Sequence, residues 1–216
     1  ATSASHSNFL GLNAGSGATN ASFSNFLGNS AGNNATSASH SNFLGLNAGN
    51  GAAGAFYSNF FGNGAGYQAT NASYSNFLSY GAGNGATNAA RSLFIGYNAG
   101  LSDTVNNTGN IASSSILIGN YTQTGGFSNS IALGQGTQNS AAAQLNIGNV
   151  LYATGLYSGT TATSTPTTAG RVGIGTTSPS QLLTVSGTSS MRTILPETNL
   201  TYNIGSSAQR FNEGWI

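Results

Sequence analysis

A seventeen-residue unit, repeated without insertion across the first hundred positions, is what most limits the fold of this chain. Its signature runs Asn8-Phe9-Leu10-Gly11, Asn25-Phe26-Leu27-Gly28, Asn42-Phe43-Leu44-Gly45, Asn59-Phe60-Phe61-Gly62, Asn76-Phe77-Leu78-Ser79 and Leu93-Phe94-Ile95-Gly96. An Ala-Gly pair keeps the same register, from Ala14-Gly15 to Ala99-Gly100. Helical repeats need about 33 residues or more, so the unit is too short for a pair of helices. It is also saturated with Gly and Asn, which disfavour helix interiors. Short aromatic and branched runs bounded by Gly read as strands. Two strands of about five residues and two tight turns account for one unit. The expected fold is all-β: a parallel β-solenoid or β-roll whose rungs lie about 4.8 Å apart. A fixed period puts each residue type above its own kind, Phe on Phe and Asn on Asn.

Neighbours on a strand point to opposite faces. Phe9, Phe26, Phe43, Phe60, Phe77 and Phe94 therefore cannot share a side with Leu10, Leu27, Leu44, Phe61, Leu78 and Ile95. One column fills the roll and the other faces out in every rung. A long apolar stripe on a lone chain invites aggregation, so the outward column is expected to pack against sister chains, as a homotrimer or a filament. Gly11, Gly28, Gly45, Gly62 and Gly96 close the unit. They are expected at turns with positive φ or close backbone approach, with Ser79 the exception.

Four regions follow along the chain. Residues 1–100 are regular rungs. Residues 101–150 hold irregular ones, marked by Ile116-Leu117-Ile118-Gly119, Ile131-Ala132-Leu133-Gly134 and Leu145-Asn146-Ile147-Gly148, with 101–115 a loop or an enlarged rung. A Thr-rich linker or neck is expected over 151–170, and strand patterns return over 171–216. The chain starts without Met, which reads as a processed or excised piece.

Composition narrows the function. Gly, Ser, Ala, Asn and Thr make up 144 of 216 residues, and only four Arg and three acids carry charge. The Arg are far apart, so a nucleic-acid footprint is absent. No apolar run is long enough to span a membrane. Without Cys, disulfides and thiolate metal sites are excluded. The acids Asp103, Glu197 and Glu213 lie outside the regular repeat and His6 and His40 within it, so acid–base pairs are not expected. No catalytic residue, cofactor or metal is assigned. Calcium-binding rolls need an Asp in each repeat, and these units carry Asn. His6, Phe23, His40, Tyr57 and Tyr74 occupy one column, with Arg91 after them. The two His are about 9.6 Å apart by strand spacing, too far to share an ion. The column reads as a surface aromatic ladder, with a glycan- or partner-facing stripe as the sharper alternative. A Thr column at Thr19, Thr36, Thr70 and Thr87 raises water ordering as on ice-binding solenoids. The position two residues on is Ala21, Ala38, Ala72 or Ala89, not a second Thr.

Two resemblances complete the reading. Ser130-Ile131-Ala132-Leu133-Gly134-Gln135-Gly136-Thr137 resembles the head repeat of trimeric autotransporter adhesins, a short strand ending in Gly within a trimeric β-roll. Arg171-Val172-Gly173-Ile174-Gly175-Thr176-Thr177-Ser178-Pro179 resembles a segment of phage tail fibres, as do Asn203-Ile204-Gly205-Ser206-Ser207 and Arg210-Phe211 through Trp215. In such fibres these stretches often precede a self-cleaving, trimerising chaperone domain. The resemblances imply a non-enzymatic extracellular fibre shaft or adhesin stalk on a virion or cell surface. The partners they imply are sister chains and a host-surface glycan or receptor. A water-ordering or glycan-binding solenoid is the alternative.

Overall fold

The computed structural model describes residues 1–106, 114–156, 159 and 170–191. The chain divides into two compact units. The first, Ala1–Ser186, carries all the strands described here; of the second, Gly187–Ile216, only residues up to 191 are described. The tail-fibre-like stretches at 203–207 and 210–215, and most of the expected neck, lie outside the described residues.

The first unit is a β-solenoid. Its strands are β1 (Asn8–Leu10), β2 (Asn25–Leu27), β3 (Asn42–Leu44), β4 (Asn59–Phe61), β5 (Asn76–Leu78), β6 (Ser92–Ile95), β7 (Ser115–Ile118), β8 (Ile131–Leu133) and β9 (Leu145–Ile147). Each pairs in parallel with the next, so the sheet order is the chain order. Phe9 pairs with Phe26, Phe26 with Phe43, and so on through Phe77 with Phe94. The strands are shorter than the sequence suggests. A rung has one three- or four-residue strand, and its expected second strand is a single bridge, as between Thr19 and Thr36.

The reason is the density of left-handed backbone. In the rung 18–34, Asn20, Phe23, Ser30, Gly32 and Asn34 have φ between 49° and 61°, and Gly28 has φ 137°. A strand cannot continue through such residues, and positive φ is most readily adopted by Gly and Asn. Between these turns the inward corners Ala18, Ala21, Ala31 and Ala35 are fully buried. The composition is thus a consequence of the geometry: Gly, Asn and Ser bend the rung, and Ala fits inside the bends.

Phe26, Phe43, Phe60, Phe77 and Phe94 fill the centre with no exposed surface. Their rings stack 4.7–4.8 Å apart, near parallel. The Ala-Gly column exists to make room for them: a Cβ on Gly32 would come within 2.4 Å of the Phe26 ring. A buried Ser column runs beside the rings. The Ser41 hydroxyl donates to the Ala55 carbonyl and accepts from the Ser58 backbone N–H, and Ser24, Ser58 and Ser75 repeat the pattern. Each hydroxyl satisfies groups that the turn leaves without a ladder partner.

Past Ile95 the rungs vary in length while the register holds. Phe94 pairs with Leu117, Leu117 with Ala132, and Ala132 with Asn146. In the stretch after Gly100, Thr104 bridges Thr87 and Val105 is buried in the core, while residues 107–113 of the expected loop or enlarged rung lie outside the described residues. The chain then reverses. Strand β10 (Leu151–Thr154) runs antiparallel to β9 after a turn with positive φ at Gly148 and Asn149. It pairs antiparallel with β11 (Arg171–Ile174), which pairs in parallel with β12 (Leu183–Val185). The start of the expected neck is therefore sheet, with Tyr152 buried opposite Asn146 and Gly173.

Candidate functional site

The sheet divides the two apolar columns as strand alternation requires. Phe points in; Leu10, Leu27, Leu44, Phe61, Leu78 and Ile95 point out, with Leu44 and Phe61 36% and 39% exposed. The register carries this outward column on through Ile118, Leu133 and Ile147.

Beside it on the same face runs the Asn column. Asn8, Asn25, Asn42 and Asn59 each donate an amide hydrogen to the Asn one rung on, ending at Asn76, at 2.7–2.8 Å. The amide ladder stops there because Leu93 occupies its place on β6. Ile116, Ile131 and Leu145 follow in the same column. From β6 on, both outward positions of every strand are therefore aliphatic. The reversal does not interrupt this: Leu151 and Ala153 face out from β10, then Val172 and Ile174 from β11, and Leu183 and Val185 lie in register on β12. Seven strands present one apolar surface, about 29 Å long at the usual strand spacing. No outward position on it carries a charge. The Leu/Ile column is expected from strand alternation, whereas the replacement of Asn by Leu93, Ile116, Ile131 and Leu145 is a further feature of the structure. The signal was legible, because Ser-Leu-Phe-Ile and Ser-Ile-Leu-Ile place aliphatic residues on both outward positions.

The turn glycines sit as the spacing implied. Gly11, Gly28, Gly45, Gly62 and Gly96 have φ of 134–138°, and a Cβ on Gly45 would lie 2.5 Å from the Gly62 carbonyl oxygen. Ser79 adopts φ 131° in the same column. The rung above it gives way: Gly96 N–H reaches the Leu78 carbonyl at 3.2 Å, against 2.8 Å for the matching bond from Gly62 to Leu44.

His6, Phe23, His40, Tyr57 and Tyr74 form a continuous exposed stack, with centroids 4.6–5.2 Å apart. All five have φ near 57°, an uncommon conformation for aromatic residues. Face-to-face stacking leaves the inner rings only their edges for solvent. A sugar or a planar ligand needs a ring face, so the interior of this ladder has none to offer. His6 and His40 are held apart by the Phe23 ring between them.

The Thr column runs Thr2, Thr19 and Thr36, continues with Ala53, and resumes at Thr70, Thr87 and Thr104. It is one residue wide, because Ala21, Ala38, Ala72 and Ala89 are fully buried rather than beside it.

Asp103 is the one acid among the described residues, and it is buried. Its carboxylate accepts hydrogen bonds from the Thr124 backbone N–H and hydroxyl, tying two rungs together. Burial raises its pKa above the ordinary value of 3.8, against the lowering effect of the Thr124 bonds. No cluster of three or more His, Cys, Asp or Glu suited to a metal occurs among the described residues. No described helix is long and apolar enough to cross a membrane.

Comparisons with family models, with curated proteins and with solved structures return no match to this chain.

Proposed function

We propose that this chain is a non-enzymatic extracellular fibre shaft or adhesin stalk, built from parallel copies that associate laterally through the outward sheet face. The observation that carries the reading is the uncharged apolar surface continuous from β6 to β12. Monomeric proteins rarely leave a patch of this extent open, and such patches mark association surfaces. A second copy is the fitting occupant, since it presents the same uncharged aliphatic face with strands at the same spacing. The resemblance to tail fibres and trimeric adhesins supports a homotrimer, with end-to-end filaments as an extension. Among the described residues the acid Asp103 is buried against Thr124, several rungs from His6 and His40, and the long repeating surface suits spacing and multivalent presentation.

Sedimentation equilibrium of the whole chain tests this. A trimer is expected, and Ile118→Lys with Ile131→Lys should convert it to a folded monomer. A wild-type chain that stays monomeric at high concentration overturns the lateral-assembly reading.

A further inference from the structure

A cavity breaks the regularity of the stack, and a change in one column at two rungs creates it. The column containing Asn13, Ser30, Asn47 and Asn98 takes Gly at two successive rungs, Gly64 and Gly81. Two missing side chains leave a notch of about 210 Å³, lined by Asn47, Asn63, Gly64, Tyr67, Tyr80, Gly81 and Asn84. That is below the range of drug-sized pockets, about 300–1,000 Å³, and on the scale of one small ring.

The notch differs from the aromatic ladder in a decisive respect. Tyr80 stacks on Tyr97 above it, with centroids 5.1 Å apart and planes within 8°. The residue below Tyr80 in its column is Asn63, not a ring, so no second ring stacks on Tyr80 from below, where it borders the notch. Tyr67 also lines the notch, its hydroxyl accepting from the Gln68 amide at 3.3 Å. The amides of Asn63 and Asn84 make no side-chain hydrogen bond within the described residues, and each offers both a donor and an acceptor. No charged group lines the cavity.

We infer that this notch is a binding subsite for a neutral pyranose, the terminal hexose or N-acetylhexosamine of a glycan. A tyrosine face without a stacked ring suits the apolar C–H face of the sugar, and paired amides suit vicinal hydroxyls. The lack of charge selects against acidic sugars and phosphates. The site lies on the turn segment, off the sheet face, so it does not depend on lateral assembly. A single subsite of this size binds weakly, and repeated copies along an assembly raise the effective affinity.

Saturation-transfer NMR on the intact protein is the test. The probes are the methyl glycosides of glucose, galactose, mannose, N-acetylglucosamine and N-acetylgalactosamine, with methyl sialoside as the acidic control. At least one neutral glycoside should receive saturation, and the sialoside should not. Gly64→Asn should abolish transfer at an unchanged melting temperature. Asn47 and Asn98 already hold Asn in this column at φ 56° and 54°, and a Cβ at Gly64 meets nothing nearer than 3.9 Å. Tyr80→Leu should abolish it independently, whereas Tyr57→Leu, stacked on both faces within the ladder, should leave it intact. Silence from every neutral glycoside, or transfer that survives both Gly64→Asn and Tyr80→Leu, overturns the assignment. The monomeric Ile118→Lys/Ile131→Lys protein should still bind, which separates failure of this site from failure of the assembly.

Discussion

The turn column admits a reciprocal experiment, because the chain already contains its own mutant. Ser79 occupies a place that is Gly in the other five regular rungs, and the bond above it is 0.4 Å longer than its counterpart from Gly62 to Leu44. Gly45→Ser should reproduce that fault in mid-stack. The new Cβ would start 2.5 Å from the Gly62 carbonyl oxygen, a backbone atom that cannot rotate away. Relief requires the upper rung to lift, weakening one ladder bond, while the Ser backbone is held at φ 136°. Residues in such sparsely populated regions cost about 1–3 kcal/mol. Calorimetry should then show melting lowered by roughly 2–4 °C per kcal/mol for a chain of this size. Ser79→Gly should act in the opposite direction. Its gain is partly offset by the extra freedom of Gly in the unfolded chain, about 0.4–1 kcal/mol, so a rise of a few degrees is expected. Circular dichroism at a strand wavelength, recorded with the calorimetry, confirms that both variants keep the sheet. A neutral Gly45→Ser, or a Ser79→Gly that melts lower than the parent, would refute the claim that carbonyl crowding dictates Gly here.

Other outcomes follow from named contacts. Ser58→Ala removes the hydroxyl that serves the Ala72 carbonyl and the Ser75 N–H, leaving both buried without a partner; a loss of about 1–3 kcal/mol is expected in chemical denaturation. Asp103 has its pKa raised by burial, so the unfolded chain ionises first as pH climbs from 3.8. Stability should fall with rising pH until the folded carboxyl also ionises, and Asp103→Asn should flatten that slope in a pH series of melting curves. Deleting residues 42–58 removes one whole period and joins identical registers, so the product should keep its β spectrum, whereas deleting 42–50 should not.

Much of the architecture was open to reading because period is such a strong constraint. Seventeen residues with Phe-Leu in one place dictate parallel stacking, and alternation dictates that Phe and Leu part company. The Asn ladder and the Phe stack follow from the absence of insertions. The length of the strands did not follow. Propensity marks Phe, Leu and Tyr as strand formers, but nothing in it announces that Phe23, His40 and Tyr57 sit at φ near 57°. Stacking against the rungs above and below holds them there, a tertiary effect that propensity does not encode. The reversal at β10 was hidden similarly, because Leu-Tyr-Ala-Thr looks like the start of a Thr-rich connector. The notch at Gly64 and Gly81 was invisible for another reason: in a chain with 32 Gly, two more in succession down a column carry no signal until the columns are assembled in space.

The interchangeability of the regular rungs reaches beyond folding. Residues 1–15 and 35–49 are identical in sequence, and every regular rung meets its neighbours through the same Phe, Ser and backbone contacts. A gene encoding such units can gain or lose whole periods by unequal recombination, and the resulting stack has no junction to repair. The length of the rod thus becomes a heritable quantity that varies in steps of one rung, about 4.8 Å. The number of rungs can then change across generations without redesign of the side chains that hold them together.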